Sequence, residues 1–315
     1  MLVSLLALAL ASTAAGSAHP VIPSSASVRA HRAAPAPTEV LVSAAWLKQH
    51  LGDPDLVILE VGMPHVRGAA NTYPTGHIPG ARLLDVHAIS TDEGPDSLTM
   101  QLVSPDSLQR VFASLGVSDN SHVVLYSNWA SVVSRAFFTL DYLGRGDRTS
   151  VLDGGMDAWK KAGGALDTVT PLARPGTLHV TAHPSVVVDG AWVRQHLTDP
   201  SIAILDARDH PFYTGAQLGH SSQRAGHVPG AYNVYFTRLL DSTGVFRSPD
   251  EVRAILAQAG VPTHRTLVVY CHIGQTGSVA YLQARRAGIP VKLYDGSFEG
   301  WSRDKSNPVT SGEAP

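Results

Sequence analysis

The chain has 315 residues, of which 44% are hydrophobic and 16% are charged, and its formal net charge is -2. This is an ordinary globular composition, in a chain longer than one typical domain. The near-neutral charge favours neither nucleic-acid binding nor a polybasic membrane contact, and the single cysteine excludes an internal disulfide.

The first eighteen residues are typical of a secretory signal peptide. Residues 2–11 form an apolar run that is too short to span a membrane, and small residues follow up to Ala18. No lysine or arginine precedes the apolar run, so the usual basic n-region is missing; an uncleaved apolar tail is the alternative interpretation. We expect an exported protein, periplasmic or secreted, without a membrane span in the mature chain. Residues 19–38 are rich in proline, alanine and serine and predict a flexible spacer.

The remainder of the chain contains an internal repeat. Residues 42–61 match residues 188–207, an offset of 146. Three shorter pairs follow in the same order: GHIPGA with GHVPGA at 76 and 226, HVVLYS with TLVVYC at 122 and 266, and LDGGMDAW with YDGSFEGW at 152 and 294. This order predicts two homologous domains. We place them at residues 39–165 and 186–310, joined by a linker at residues 166–185.

Each repeat alternates strands with helices. In the first repeat the pattern predicts helices at 46–51, 107–115, 131–143 and 156–161, and strands at 56–60, 123–126 and 151–152. Such alternation is typical of α/β proteins, and we expect in each domain an open, mostly parallel sheet with helices on both faces. Glycine and proline in the GH[IV]PGA blocks predict a tight turn before a further strand. We interpret His77 and His227 there as residues that fix the turn through one hydrogen bond to the loop backbone.

The lone cysteine lies in the second repeat, at the end of a predicted strand. Residues 266–270 are β-branched and aromatic and predict a buried strand, and a helical pattern runs from about Thr276 to Gly288. Cys271 therefore lies on a loop between the carboxyl end of a strand and a helix amino terminus, where parallel α/β sheets bind ligands. Backbone N–H groups and the positive helix end favour a thiolate there. We expect Cys271 to be a solvent-accessible nucleophile rather than a buried core residue.

The first repeat has lost these features. Ser127 occupies the position of Cys271, and residues 128–132 replace the small residues of the loop and its glycine. Nothing in the pattern supplies Ser127 with a paired histidine and aspartate, so we do not expect it to be a nucleophile. The N-terminal domain is expected to buttress the second domain and to form one wall of a cleft.

The repeated blocks, with a six-residue loop that begins with cysteine in the second copy only, resemble the tandem-domain rhodanese family of sulfurtransferases. The resemblance covers about residues 40–309 and is most specific at Cys-His-Ile-Gly-Gln-Thr, residues 271–276. It implies two rhodanese-like domains, of which the second is catalytic and the first inactive. It also implies that Cys271 takes a sulfane sulfur from a donor such as thiosulfate, becomes a persulfide, and passes the sulfur to cyanide or a thiol.

The substrate-binding candidates in the loop are the five residues after the cysteine: His272, Ile273, Gly274, Gln275 and Thr276. Gly274 lets the main chain curl without a Cβ clash. Thr276 can cap the following helix and hydrogen-bond the sulfur. A partly protonated His272 would attract an anion, although a histidine without a role is an equal alternative, and Gln275 is a neutral donor.

Two arginines complete the set of candidates. The resemblance implies a substrate-binding arginine four residues after Arg208, where this chain has Phe212. Arg224, just before the Gly226 turn, is our candidate for a replacement cation. Arg208 itself, at a strand end, is more simply interpreted as the ion-pair partner of a carboxylate than as a ligand.

Thiosulfate is the expected donor; 3-mercaptopyruvate as donor, or a non-catalytic persulfide carrier, are the alternatives. Relatives specific for thiosulfate often carry basic residues after the cysteine, and those specific for 3-mercaptopyruvate carry small neutral ones. Here His272 is intermediate between the two patterns and Ile273 is apolar. A cysteine phosphatase needs an arginine six residues after its nucleophile, where this chain has Gly277.

The expected partners are small molecules, namely a sulfur donor and a thiol or cyanide acceptor, and the protein is expected to be a monomer. The 15 histidines are scattered, so we expect no metal site. No GxxxxGK[ST] loop is present, and we expect no cofactor and no nucleic-acid partner.

Overall fold

The structure is a computed structural model that describes residues 39–65, 72–94, 97–172 and 174–315. The predicted signal peptide and spacer, residues 1–38, lie outside these ranges. In the part of the chain that the structure describes, no helix is long and apolar enough to cross a bilayer.

The first repeat folds around a five-stranded sheet in which every pair of neighbouring strands is parallel. The strands are β1 (Leu41–Val42), β2 (Leu56–Gly62), β3 (Arg82–Asp85), β4 (His122–Tyr126) and β5 (Thr149–Leu152), in the order β1-β5-β4-β2-β3. The helices are α1 (Ala44–His50), α2 (Pro105–Ser114), α3 (Ala130–Tyr142) and α4 (Gly155–Lys161). The predicted elements of this repeat are confirmed, and β1 is a short addition to them.

The second repeat has the same architecture, again with parallel neighbours throughout. Its strands are β6 (Val187–Val188), β7 (Ile202–Asp206), β8 (Ala231–Asn233), β9 (Thr266–Tyr270) and β10 (Val291–Tyr294), in the order β6-β10-β9-β7-β8. Its helices are α5 (Gly190–Gln195), α6 (His210–Thr214), α7 (Pro249–Gln258), α8 (Gly277–Arg286) and α9 (Ser297–Arg303). The same strand order in both sheets confirms the predicted fold of two homologous domains.

The strands that lead to the two equivalent loops, β4 and β9, are buried along their length, apart from a half-buried Thr266. Such burial is expected of inner strands in a parallel sheet that is covered on both faces, and it explains their apolar, β-branched sequences. The largest apolar core continues from one domain into the other. It includes the contact of α3 with α8, where the rings of Phe138 and Tyr281 meet edge to face at 5.0 Å.

The two GH[IV]PGA turns are fixed by their histidines, as predicted. Nδ1 of His77 lies 2.8 Å from the carbonyl oxygen of Tyr73, and Nδ1 of His227 lies 2.8 Å from that of Tyr213. Each imidazole also stacks on the ring of the same tyrosine, with centroids 4.0 and 3.8 Å apart. Both histidines are fully buried, and they therefore serve the turns rather than a ligand.

Candidate active site

The loop at residues 271–276 joins β9 to α8, and the beginning of α9 holds its main chain. The N–H of Cys271 donates to Oγ of Ser297 at 3.2 Å, and its carbonyl accepts from the N–H of Phe298 at 2.9 Å. The next carbonyl, of His272, accepts from the N–H of Glu299 at 2.9 Å. The N–H groups of Phe298 and Glu299 belong to the first turn of α9, where N–H groups have no hydrogen-bond partner within the helix. The two loop carbonyls accept from them, and these hydrogen bonds fix the main chain of the loop.

The sulfur of Cys271 accepts a hydrogen bond from the N–H of Gly274 at 3.1 Å. Gly274 has a φ of +85°, and a Cβ at this position would lie 2.9 Å from the carbonyl oxygen of Asp295. The predicted need for a glycine is therefore confirmed. The amino end of α8 begins three residues later, at Gly277, and adds its positive partial charge. An N–H donor and a helix amino end together stabilise an anionic sulfur.

Cys271 is fully buried, at 0% exposure, so the expected solvent-accessible cysteine is not what the structure shows. Cys271 belongs to the large apolar core, which also includes Val269, Val279 and Leu293. The reason is the curl of the loop, which turns the sulfur back toward Gly274 N–H while other loop residues line the neighbouring cleft. The sulfur is therefore out of reach of solvent, and Cys271 is not among the residues that line the cleft.

The cleft beside the loop has a volume of about 370 Å³. Both domains line it, which supports the predicted role of the N-terminal domain as one wall. The lining residues are Glu93 and Thr99 from the first domain and Phe212, Gly219, His220, Ser221, His272, Ile273, Gln275 and Thr276 from the second.

His272 is neutral near pH 7, which argues against its proposed attraction of an anion. Burial lowers the pKa of His272 to about 4, and the positive charge of Arg208 contributes in the same direction. Its ring meets that of Phe212 edge to face at 4.7 Å. Among the described residues, Nδ1 of His272 has no hydrogen-bond partner. The histidine therefore offers the cleft a neutral, partly apolar surface.

Acid should destabilise the protein partly through His272. The pKa falls from an ordinary 6.5 to about 4 on folding, so between these values the unfolded chain binds a proton that the folded chain excludes. Stability is then lost as pH falls from about 6.5 to 4. We expect His272→Gln to have a shallower decline in melting temperature than the wild type over this range. His122→Gln should act in the same sense, because burial also lowers the pKa of His122 to about 4. Equal slopes in wild type and His272→Gln would contradict the expectation.

Arg208 forms the ion pair that the sequence suggested. It is 2% exposed, and its Nη2 donates to Oδ2 of Asp206 at 2.6 Å and to the carbonyl of Gly226 at 2.7 Å. Its Cζ lies 3.9 Å from the ring centroid of Phe298. These contacts hold the guanidinium at the carboxyl end of β7. They leave no sign that Arg208 binds a substrate.

Arg224 does not have the anion-binding geometry that we expected. Its guanidinium donates four hydrogen bonds, at 2.8 to 3.0 Å, all to main-chain carbonyls. These acceptors, at the end of α9 and just beyond it, are Trp301, Ser302, Asp304 and Asn307. Carbonyls at a helix carboxyl end lack partners within the helix, and a cation satisfies them well. Arg224 therefore caps α9 instead of presenting its donors to a substrate.

Thr276 does not have the capping role that we expected. Thr276 occupies the position before α8, but its backbone is already helical, with φ of -75° and ψ of -26°, and its side chain makes no capping hydrogen bond. A capping residue normally has extended backbone angles that aim its oxygen at the free N–H groups. No hydrogen bond from Thr276 to the sulfur occurs among the described residues. Nε2 of Gln275 lies 3.6 Å from Sδ of Met63, a residue of the first domain.

Sequence reasoning missed two residues that flank the loop, Arg135 and Asp295. Nη1 of Arg135 donates to Oδ1 of Asp295 at 2.6 Å, and this ion pair joins the two domains. A signal for each was present: Asp295 belongs to a block that both repeats share, and Arg135 is a charge within the apolar run SVVSRAFF. Only the fold shows that they meet, since 160 residues separate them.

The equivalent loop in the first repeat has a different shape. Oγ of Ser127 accepts from the N–H of Trp129 at 3.2 Å, and α3 begins at Ala130. Ala130 aligns with Gly274, so the helix begins three residues earlier than α8 does at Gly277. This loop has no counterpart of the left-handed glycine whose N–H binds the sulfur of Cys271.

The comparisons with known proteins agree with this architecture. The model of the Rhodanese-like domain matches residues 43–162 and 189–304. A probable 3-mercaptopyruvate sulfurtransferase of Pseudomonas aeruginosa is 33% identical over 281 residues, which cover 87% of this chain and 98% of that protein. A thiosulfate sulfurtransferase of the same organism is 28% identical, over 86% of this chain and 96% of the relative.

A solved structure shows the same likeness. SseA from Escherichia coli, described as a 3-mercaptopyruvate sulfotransferase, superposes with a TM-score of 0.74 at 29% identity, over 82% of this chain and 99% of the other. Both halves of the chain match the domain model, and relatives match across most of its length. The chain therefore belongs to the rhodanese family, of which it carries two domains in tandem.

Proposed function

We propose that this protein is a sulfurtransferase that moves a sulfane sulfur from thiosulfate to cyanide or a thiol through a persulfide on Cys271. The observation that carries the proposal is the N–H of Gly274, directed at the sulfur of the chain's single cysteine at 3.1 Å. This loop lies at the carboxyl end of β9, the edge where parallel sheets bind ligands. The sulfurtransferase names of relatives that match most of the chain support the same activity.

The reaction has two displacements at sulfur. In the first, the thiolate of Cys271 attacks the outer sulfur of thiosulfate, the sulfur–sulfur bond of the donor breaks, and its electron pair leaves with sulfite. Cys271 then carries a persulfide anion. In the second, cyanide or a thiolate attacks the terminal sulfur, and the electron pair of the persulfide bond returns to Cys271 as thiolate. The Gly274 N–H and the amino end of α8 stabilise the negative sulfur between these steps.

3-Mercaptopyruvate is the second candidate donor, and the charge of the cleft favours it. Arg224 and Arg208 direct their donors to carbonyls and to Asp206, and His272 is neutral. A donor with one negative charge needs less positive charge around it than the thiosulfate dianion does. One relative and the superposed structure are also described as acting on 3-mercaptopyruvate.

Intact mass spectrometry tests the proposal and distinguishes the donors. We expect the wild type to gain the mass of one sulfur atom on Cys271 after incubation with thiosulfate, with release of one sulfite. A gain with 3-mercaptopyruvate alone would assign that donor instead. Repeated thiocyanate formation with cyanide would distinguish an enzyme from a persulfide carrier, which would load but turn over slowly. No gain with either donor would contradict the function.

A further inference from the structure

Arg135, of the N-terminal domain, lies against the cysteine loop of the C-terminal domain. Its side chain is 0% exposed, and its Nη1 donates to Oδ1 of Asp295 at 2.6 Å. The same nitrogen lies 3.2 Å from the place that a Cβ on Gly274 would occupy. The first domain therefore reaches the residue whose N–H binds the sulfur of Cys271.

The ion pair with Asp295 satisfies only part of the buried guanidinium of Arg135. Within the described part of the chain, Nε and Nη2 of Arg135 have no hydrogen-bond partner, and the centroid of the Phe138 ring lies 5.3 Å from Cζ. A buried donor left unpaired costs about 1–3 kcal/mol. Apolar side chains in place of a buried ion pair are often neutral or stabilising. Unpaired polar groups in a protein core occur mainly at functional sites, and the buried arginine is therefore a candidate for a functional role.

Asp295 connects the arginine to the geometry of the loop. Its Oδ2 accepts from the N–H of Leu102 at 2.8 Å, so two segments of the first domain bind the one carboxylate. Its own carbonyl oxygen forms the wall behind Gly274, at 2.9 Å from the place of a Cβ. Asp295 also stands two residues before Ser297, which begins α9 and binds the main chain of Cys271.

We propose that Arg135 is a positioning residue for sulfur transfer: it fixes Asp295 against Gly274, so that the N–H of Gly274 stays directed at the sulfur of Cys271. This inference rests on the proposed function. The contacts of Arg135 and Leu102 with Asp295 limit the freedom of the wall behind Gly274, so the amide is already in place when the persulfide anion forms. The second domain is then catalytically incomplete without the first.

The test compares Arg135→Met and Arg135→Lys with the control Arg285→Met. Arg285 forms ion pairs to Asp141 and Asp147 of the first domain. It lies eight residues along α8 from Gly277, or about 12 Å at 1.5 Å per residue. Mass spectrometry monitors the loading of sulfur on Cys271 in a single turnover. We expect Arg135→Met to slow persulfide formation at least about tenfold and to leave the half-saturating donor concentration unchanged. Lysine should recover part of the rate, since its ammonium can still pair with Asp295, and Arg285→Met should stay within about twofold.

Melting temperatures measured beside the rates separate positioning from folding. Equal loading rates in wild type and a folded Arg135→Met would overturn the inference, and so would an equal loss in Arg285→Met. Should Arg135→Met not fold, Asp295→Asn provides the second test, because it weakens the pair while it keeps the shape; an unchanged rate there would likewise overturn the inference. A wild type that gains no sulfur from either donor would instead refute the proposed function.

Discussion

Cys271→Ser should lose sulfur transfer by a factor of at least about 10³ while it keeps its fold, because a hydroxyl is not ionised near neutral pH and cannot replace the thiolate as a nucleophile. Serine is close to cysteine in volume, and the N–H of Gly274 can donate to its oxygen as it does to the sulfur. Thiocyanate formation from thiosulfate and cyanide measures the loss, and mass spectrometry should show no added sulfur. Sulfur loading that persists in this variant would show that a residue other than Cys271 accepts the sulfur.

A thiol in the first repeat provides the matched control. Ser127→Cys, made in the Cys271→Ser background, puts the nucleophile at the equivalent position of the other domain. We expect no recovery of activity, because α3 begins at Ala130 and leaves no counterpart of the Gly274 amide. Recovery would show that the sulfur alone suffices and that the loop geometry contributes little.

The two domains and the position of the loop could be predicted because both depend on local sequence. The β-branched run at residues 266–270 is buried on an inner strand, and the repeated blocks fall on equivalent elements of the two sheets. Gly274 could be predicted as well, since a left-handed φ within a tight loop needs a glycine whatever surrounds it.

The expectations that the contacts do not support depend on parts of the chain that are remote in sequence. The sequence around Arg224 does not indicate its hydrogen-bond partners, because its four acceptors lie 77 to 83 residues further along the chain. The charge of His272 depends on burial beside Phe212 and on the distant Arg208. The position of Cys271 on a loop led us to expect exposure, and only the packed fold shows that it is buried.

The contacts between the domains give a physical role to the first repeat, which has Ser127 in place of the cysteine. Beyond the Arg135 pair, the N–H of Thr99 donates to Oε2 of Glu299 at 2.9 Å, so the first domain also holds α9. Because α9 fixes the carbonyls of Cys271 and His272, this contact stabilises the loop from its second side. A repeat that has lost its own thiol can therefore be retained for the support that it gives to the other.

Gly274→Ala should reduce sulfur transfer by about 10²-fold, the effect of losing one amide donor to a developing anion. With φ at +85°, an alanine costs about 1–2 kcal/mol in backbone strain alone. Its Cβ would also lie 2.9 Å from the carbonyl oxygen of Asp295, a main-chain atom that cannot rotate away. The loop must shift to relieve this contact, and the shift turns the N–H away from the sulfur. Single-turnover loading and the melting temperature measure the two effects.

The control Gly244→Ala separates the effect of backbone strain from the effect of moving the N–H away from the sulfur. Gly244 has a φ of +83°, and a Cβ there would meet nothing within 4 Å, so the substitution introduces the same backbone strain on an exposed turn. We expect it to lower stability by about 1–2 kcal/mol and to leave sulfur loading unchanged. If Gly274→Ala loses stability to the same extent and still loads sulfur at the wild-type rate, the amide of residue 274 does not support the chemistry. The sulfur of Cys271 would then depend on the helix end alone for its negative charge.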